Sequence, residues 1–246
     1  GIGVFALEEN LTGNSNVAIG REALEANLAS NNTGVGFQAL TSNTTGSNNT
    51  AVGHQALFDN TTGASNVAVG LQALNSNTTA SSNTAIGYLA LTANTGGNNT
   101  AVGRAASDAN TSGTETTSLG AYALSTNTTG SYNVALGSFS LYSNTTASNN
   151  TAVGYQSLYN NTGSNNTAVG LDSLYTNTTG EFNTASGRNA LKSNTTASSN
   201  SAFGHNALVL NTTGTENSAL GRDALQANTT GSTNTAIGNR ALYLNT

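Results

Sequence analysis

The apolar residues of this chain recur at fixed positions around a glycine that returns every 16 or 17 residues. We number repeat positions from this glycine. Position −1 is apolar in every repeat except the one with Ser186, and position +4 is leucine in every repeat except the one with Ser107. A short, strict period predicts a solenoid, in which each coil buries its apolar face only against neighbouring coils. The repeat glycines are Gly3, Gly20, Gly36, Gly53, Gly70, Gly87, Gly103, Gly120, Gly137, Gly154, Gly170, Gly187, Gly204, Gly221 and Gly238.

The residues before the glycine predict a short strand. Positions −3 and −1 share one face of a strand because side chains alternate, and we assign that apolar face to the interior. The alternate face, of alanine and glycine, is then expected to point outward and to form an oligomer interface. This expected interface consists of Ala51, Gly53, Ala68, Gly70, Ala85 and Gly87.

The leucine at +4 lies an odd number of residues after position −1, so one straight strand cannot hold both on the same face. A corner at the glycine resolves the conflict, and each coil is predicted as strand, corner, second short strand and turn. A helix over the Ala-Leu half of the repeat, for example 21–27, is the competing interpretation. The predicted fold class is all-β: a single-stack β-solenoid, or parallel β-roll, of about fourteen 16–17-residue coils. The whole chain, 1–246, is interpreted as a single repeat array.

Asparagine occupies position +7 in every repeat, and a second asparagine stands at −4 in almost every repeat. Because neighbouring coils lie about 4.8 Å apart, stacked asparagine amides can bond to one another as a ladder. A plain turn-forming role is the alternative, since asparagine favours turns. The predicted ladder consists of Asn10, Asn27, Asn43, Asn60, Asn77, Asn94, Asn110, Asn127, Asn144, Asn161, Asn177, Asn194, Asn211, Asn228 and Asn245.

Composition narrows the function classes. Charged residues are 7% of the chain, the net charge is −5 and no basic run exists, which argues against a nucleic-acid partner. The chain has no cysteine and no proline, and no apolar run long enough for membrane insertion. Both ends fall inside a repeat, so we expect a segment of a longer fibre.

Residues that could carry chemistry are few, and we expect no enzyme activity, no metal site and no cofactor. His54 and His205 occupy the same repeat position nine coils apart, roughly 40 Å, so they cannot share a site within a chain. Tyr142, Tyr159 and Tyr175 fall at one position in three consecutive coils. These tyrosines are the candidate ligand-binding residues, for the faces of a sugar, although a purely packing role is the favoured alternative.

The string Ser15-Asn16-Val17-Ala18-Ile19-Gly20 resembles the repeat signature of the YadA-like heads of trimeric autotransporter adhesins. The strings at 66–70 and 133–137 match it as well. The longer repeat is also similar to arrays in bacteriophage tail-fibre proteins. The resemblance implies a parallel β-roll, a homotrimer and an extracellular, cell-surface or virion-surface location.

Three functions follow as hypotheses. The first is a rigid, self-associating spacer or adhesin shaft in a surface fibre, assembled as a homotrimer or as a helical filament. The second is an adhesin head that binds a host glycan or receptor through exposed coil faces. The third, ice binding, is disfavoured because the threonine row at position −3 is interrupted by Val67 and Val134 and is expected to face inward.

Overall fold

The computed structural model describes residues 1–245, and they contain no helix. Each strand is three residues long and occupies positions −3 to −1 of its repeat. The strands are β1 Val17–Ile19, β2 Thr33–Val35, β3 Thr50–Val52, β4 Val67–Val69, β5 Thr84–Ile86, β6 Thr100–Val102, β7 Thr117–Leu119, β8 Val134–Leu136, β9 Thr151–Val153, β10 Thr167–Val169, β11 Thr184–Ser186, β12 Ser201–Phe203, β13 Ser218–Leu220 and β14 Thr235–Ile237.

The strands form a parallel β-solenoid, as predicted, and equivalent residues of successive coils stand side by side. Ala51 pairs with Ala68, and Ala68 pairs with Ala85. The chain divides into two compact units: residues 1–122 with 127–129, and residues 123–126 with 130–246. Within the first unit β1 to β7 pair in chain order, and within the second unit β8 to β14 do the same.

The interior of each coil is filled by three small or medium side chains. Ala68 at −2, Ala73 at +3 and Leu74 at +4 are fully buried, and the same positions are buried in both units. The leucine at +4 therefore points inward, as the repeat pattern predicted. Rows of alanine and leucine supply the apolar burial that stabilises each coil against its neighbours.

The assignment of the two strand faces from sequence is wrong. Ala51, Ala68 and Ala85 are fully buried, whereas the neighbouring Val52 and Ile86 point outward and are 36% and 40% exposed. The interior is too narrow for a β-branched side chain at −2: a Cβ added at Gly34 would already lie 3.1 Å from the Leu24 side chain. The alanine at −2 therefore faces the interior together with the leucine at +4, and the residue at −1 faces outward.

The expected interface residues are consequently not an outward strip. The three alanines line the core, and Gly53, Gly70 and Gly87 form the corners of their coils. Gly70 has φ of +135°, and a Cβ there would lie only 2.4 Å from the carbonyl oxygen of Gly87 in the next coil. Glycine is thus required at the corner both by the backbone conformation and by the close approach of the next coil.

The predicted second strand after the corner is a turn. Gln72 and Leu74 adopt left-handed backbone conformations with φ of 55° and 51°, and positions +2 and +4 do so in the other coils too. Two left-handed residues on either side of Ala73 fold the segment sharply, so that Ala73 and Leu74 both face the core. Inter-coil bonds such as Leu57 N–H to the Ala73 carbonyl (3.0 Å) hold this strained segment in place.

Candidate functional site: the ladders and the outward strand face

The asparagine ladder at position +7 is confirmed. Asn60 Nδ2 donates to Asn43 Oδ1 at 2.8 Å and to its own turn at Gly63 O at 3.0 Å, while Asn60 Oδ1 accepts from Asn77 Nδ2 at 2.8 Å. All three asparagines are fully buried. Each amide therefore bonds to a neighbouring coil and closes its own turn, which explains why a polar residue recurs in the core.

The second asparagine row, at position −4, bonds the backbone of the next coil. Asn49 Oδ1 accepts from the Asn66 backbone N–H at 2.9 Å, and Asn49 Nδ2 donates to Gly63 O at 2.8 Å. The two rows therefore converge on the same turn carbonyl. Where the row departs from asparagine, Thr116 still donates its backbone N–H to Asn99 Oδ1 at 2.9 Å.

The 16-residue repeats shorten the turn by one residue and locally rearrange the ladder. In the turn at 94–99, Asn94 Oδ1 accepts from both Asn99 and Asn110, at 3.1 and 2.7 Å. Among the described residues, Asn77 Oδ1 and Asn83 Nδ2 on the preceding coil are buried without a hydrogen-bond partner. The ladder is thus interrupted between Asn77 and Asn94.

Two exceptions in the repeat pattern explain each other. Ser107 replaces the core leucine and Ser118 replaces the core alanine of the next strand. Both are fully buried, and Ser107 Oγ donates to Ser118 Oγ at 2.9 Å. A hydroxyl pair thus replaces an apolar contact at one place in the core, and the Ser118 hydroxyl also lies 3.5 Å from the Thr100 carbonyl oxygen.

The outward face of the strands carries two rows of side chains. Position −3 is threonine, serine or valine, position −1 is mostly aliphatic, and no outward side chain of β1 to β14 is charged. Among the more exposed members of the −1 row are Ile19 and Phe203, each 42% exposed. A groove of about 260 Å³ opens on β12 to β14 between Ser201 and Ser218 on one side and Phe203, Leu220 and Ile237 on the other. We call this surface the outward strand face.

The three candidate ligand-binding tyrosines form a stack. The ring centroids of Tyr142 and Tyr159 are 5.1 Å apart and those of Tyr159 and Tyr175 are 5.2 Å apart, with interplanar angles of 12° and 14°. Lys192 Nζ lies 5.8 Å from the outer ring, that of Tyr175. Stacked rings cover one another's faces, so the edges and hydroxyls are what the stack presents. This geometry suits cross-coil packing better than stacking against a sugar.

The two histidines occupy outward positions and have different neighbours. His54 stacks on Phe37 with ring centroids 5.3 Å apart. His205 Nδ1 lies 3.9 Å from Asp223 Oδ1, and Arg222 Nε lies 3.2 Å from the other oxygen of the same carboxylate. Within the described part of the chain no hydrogen bond joins His205 to a hydroxyl, and the acidic group beside it is the Asp223 carboxylate.

The structure shows a second side-chain ladder that the sequence reasoning missed. At position +2, Gln38 donates to Glu22 at 2.7 Å, Gln55 to Gln38 at 2.9 Å and Gln72 to Gln55 at 3.0 Å. The hydrogen bond from Gln38, together with Arg21, holds the pKa of Glu22 below its ordinary value. The recurrence of glutamine at one repeat position was the available signal.

Residues 1–245 contain no group of three or more histidine, aspartate or glutamate side chains arranged to hold a metal ion. In that same range no helix is long and apolar enough to cross a membrane. No protein-family model matches the chain, and a search of curated proteins finds no similar sequence.

Proposed function

We propose that this chain is a structural repeat segment of an extracellular or virion-surface fibre, in which it acts as a rigid, self-associating spacer. The observation that carries the proposal is the outward strand face, which is uncharged, regular and rich in exposed aliphatic side chains. Contiguous apolar side chains exposed on a surface are typical of interaction sites in soluble proteins. The resemblance of the strand motif to adhesin head repeats points the same way.

The rigidity of the spacer follows from the inter-coil bonds. Within each unit, successive coils are joined by strand pairing, by the asparagine amides and by the turn after the corner. A solenoid held by such nearest-neighbour bonds extends by adding coils and needs no central core. These properties suit a spacer whose length is set by repeat number.

The reversal of the two strand faces moves the expected interface. Under this proposal Val69 and Ile86, which point outward, contact the other chain, whereas Ala68 lies in the core. We expect Val69→Glu with Ile86→Glu to abolish association while the far-UV circular dichroism spectrum stays unchanged, because each glutamate would bury an unpaired charge only in the assembly. Ala68→Glu should instead unfold the surrounding coils.

Sedimentation velocity of the unmodified protein at micromolar concentration is the decisive measurement. A sedimenting species larger than one chain, reduced to one chain by the outward substitutions, would support the proposal. A monomer for the unmodified chain would refute self-association through this face.

Ice binding is a second candidate, favoured by one observation. The threonine row at −3, including Thr50, Thr84 and Thr100, faces outward on parallel strands, contrary to the inward orientation expected from sequence. Val67 still interrupts the row, and the neighbouring outward row is aliphatic. Thermal hysteresis of the purified protein tests this candidate, and its absence would eliminate it.

A further inference from the structure

We infer that Tyr142, Tyr159 and Tyr175 form an oxidative modification site, at which a dityrosine bond joins neighbouring coils of one chain covalently. The oxidant is of the class of hydrogen peroxide acting through a haem peroxidase. Because the bond lies within one chain, the inference does not depend on the self-association proposed above. It assigns to the tyrosine stack a covalent chemistry in place of the sugar contact expected from sequence.

The stack brings equivalent ring atoms together. Its three tyrosines occupy position +5 of consecutive coils. The backbone fixes their spacing, since Ser143 N–H donates to the Tyr159 carbonyl at 2.9 Å and Asn160 N–H to the Tyr175 carbonyl at 3.1 Å. The rings are within 12° and 14° of parallel. Nearly parallel rings that start from equivalent backbone positions place each Cε atom opposite the Cε atom of the next ring, and this carbon, ortho to the hydroxyl, is where dityrosine forms.

The stack contains three rings and no more. Position +5 is Ser125 in the preceding coil and Lys192 in the following coil, and Lys192 Nζ lies 5.8 Å from the centre of the Tyr175 ring. Tyr142 and Tyr175 are two coils apart, about 10 Å, which is too far for direct coupling. Every link within the stack therefore includes Tyr159.

The composition of the chain directs oxidation to tyrosine. Cysteine and methionine, the side chains that oxidants usually attack first, are absent, and so is tryptophan. The eight tyrosines are therefore the side chains that give up a single electron most readily. All three members of the stack are partly exposed, so an oxidant reaches them in the folded chain. A chain without cysteine has no disulfide to join its coils, and the tyrosine stack offers a carbon–carbon bond instead.

The reaction balances with hydrogen peroxide as the only consumed reagent. Each of two neighbouring hydroxyls loses one proton and one electron, which leaves a radical that is shared with the Cε atoms. The two radicals pair their electrons in a new Cε–Cε bond, and the hydrogen on each of these carbons moves through solvent to the phenolic oxygen. The tyrosines thus lose two protons and two electrons in total, and hydrogen peroxide accepts both to give two molecules of water.

The neighbours of the stack do not compete with it for coupling. The Phe139 ring packs against two members of the stack, with centroids 5.8 Å from Tyr142 and 6.5 Å from Tyr159. Phenylalanine has no hydroxyl and forms no tyrosyl radical. Tyr132 provides a matched control, because it is 55% exposed and within residues 1–245 its ring contacts no other aromatic ring.

Oxidation of the purified chain with a haem peroxidase and hydrogen peroxide tests the inference. The folded protein should give a product with the mass of one chain less two hydrogen atoms, together with the fluorescence of dityrosine. Mass spectrometry of peptic peptides should place the link between Tyr159 and either Tyr142 or Tyr175. In urea, where equivalent positions are no longer side by side, the same treatment should spread the links over the other tyrosines.

Three phenylalanine variants distinguish the stack from its surroundings. Tyr159→Phe keeps a stacked ring but removes the hydroxyl common to both pairs, so it should lose most of the dityrosine fluorescence within one chain. Tyr142→Phe should keep part of that fluorescence, with the link confined to Tyr159 and Tyr175. Tyr132→Phe also lacks one tyrosine but should match the unmodified chain. Far-UV circular dichroism checks that all three variants fold alike.

Unfolding measures what the bond does for the coils. Tyr142 and Tyr159 are one coil apart, so the bond closes a loop in the unfolded chain, and the cross-linked protein should unfold at a higher urea concentration. A thiol reductant should leave this increase unchanged, because the new bond joins two carbons. An unchanged urea midpoint would refute the stabilising role. Absence of dityrosine from the folded chain, links outside the stack, or equal yields from Tyr159→Phe and Tyr132→Phe would overturn the site itself.

Discussion

Replacing single asparagines of the ladder by alanine should lower the free energy of unfolding by unequal amounts, and the hydrogen bonds of each asparagine predict the order. Asn60→Ala leaves two buried groups without partners: Asn43 Oδ1 and one N–H of Asn77. The turn carbonyl of Gly63 keeps its bond from Asn49 Nδ2 at 2.8 Å. At about 1–3 kcal/mol for each unsatisfied buried group, the loss of unfolding free energy is roughly 2–6 kcal/mol.

The same substitution one coil further should be milder. Asn77 Oδ1 has no partner among the described residues, so Asn77→Ala leaves only Asn60 Oδ1 unsatisfied. The Ala80 carbonyl, which Asn77 also bonds, still accepts from Asn66 Nδ2 at 2.9 Å. The expected loss of unfolding free energy is about 1–3 kcal/mol, although Asn77→Ala and Asn60→Ala remove the same side-chain atoms.

Exposed threonines of the same turns provide the controls. Thr62→Ala and Thr79→Ala remove exposed side chains and should change stability by less than about 0.5 kcal/mol. Urea denaturation followed by far-UV circular dichroism gives the order of stabilities, and native-state hydrogen exchange locates the loss, since solenoids can unfold in parts. Equal losses for Asn60→Ala and Asn77→Ala would refute the ranking, and losses matched by the threonine variants would refute a stabilising ladder.

Three further predictions concern other parts of the coil. Gly70→Ala should destabilise by at least about 2 kcal/mol in thermal unfolding, because it combines a strained φ with a backbone clash; Gly97→Ala, which meets only one carbonyl, should have a much smaller effect. Ser118→Ala alone should lower the free energy of unfolding by about 1–3 kcal/mol, because it leaves the Ser107 hydroxyl unpaired. The double variant Ser107→Leu with Ser118→Ala should be at least as stable as the original chain, because it restores the apolar contact. A single variant as stable as the original chain would contradict this explanation. Burial, and then the neighbouring tyrosines, raise the pKa of the Tyr159 hydroxyl above its ordinary value of 10.0. The unfolded chain therefore loses the Tyr159 proton at a lower pH than the folded chain, so the free energy of unfolding should fall as pH rises above about 10. Tyr159→Phe should flatten that part of the curve of unfolding free energy against pH, measured by urea titration.

The sequence predicted those features that depend on the period alone. The solenoid, the inward leucine row and the asparagine ladder all follow from one residue type recurring at one position, since identical positions in parallel coils must lie side by side. Asn43 and Asn60 illustrate this, because their contact can be predicted without knowing which way the chain bends between them. The same reasoning extends to Gln38 and Gln55, whose ladder was there to be predicted.

Which strand face points inward depends on the space available inside the coil, and the repeat period carries no information about that space. Valine at −1 was placed inside because it is the more apolar residue, yet burial of apolar side chains is a tendency and much apolar surface stays exposed. Leu74 and Ala73 already fill the coil, so only a residue as small as Ala68 fits opposite them. The left-handed backbone at Gln72 and Leu74 could not be predicted from the sequence either, because neither glutamine nor leucine favours that conformation.

Equivalence between coils has a consequence for how such a chain changes length. Removal of residues 50–66 would place Thr33 opposite Val67, Asn43 below Asn77 and Gln38 below Gln72. Every lost contact would be replaced by one of the same kind at the same height, because the coils on either side stay in register. Duplication or loss of a whole coil is therefore nearly neutral for folding, and recombination between repeats can lengthen or shorten the protein without redesigning its interior.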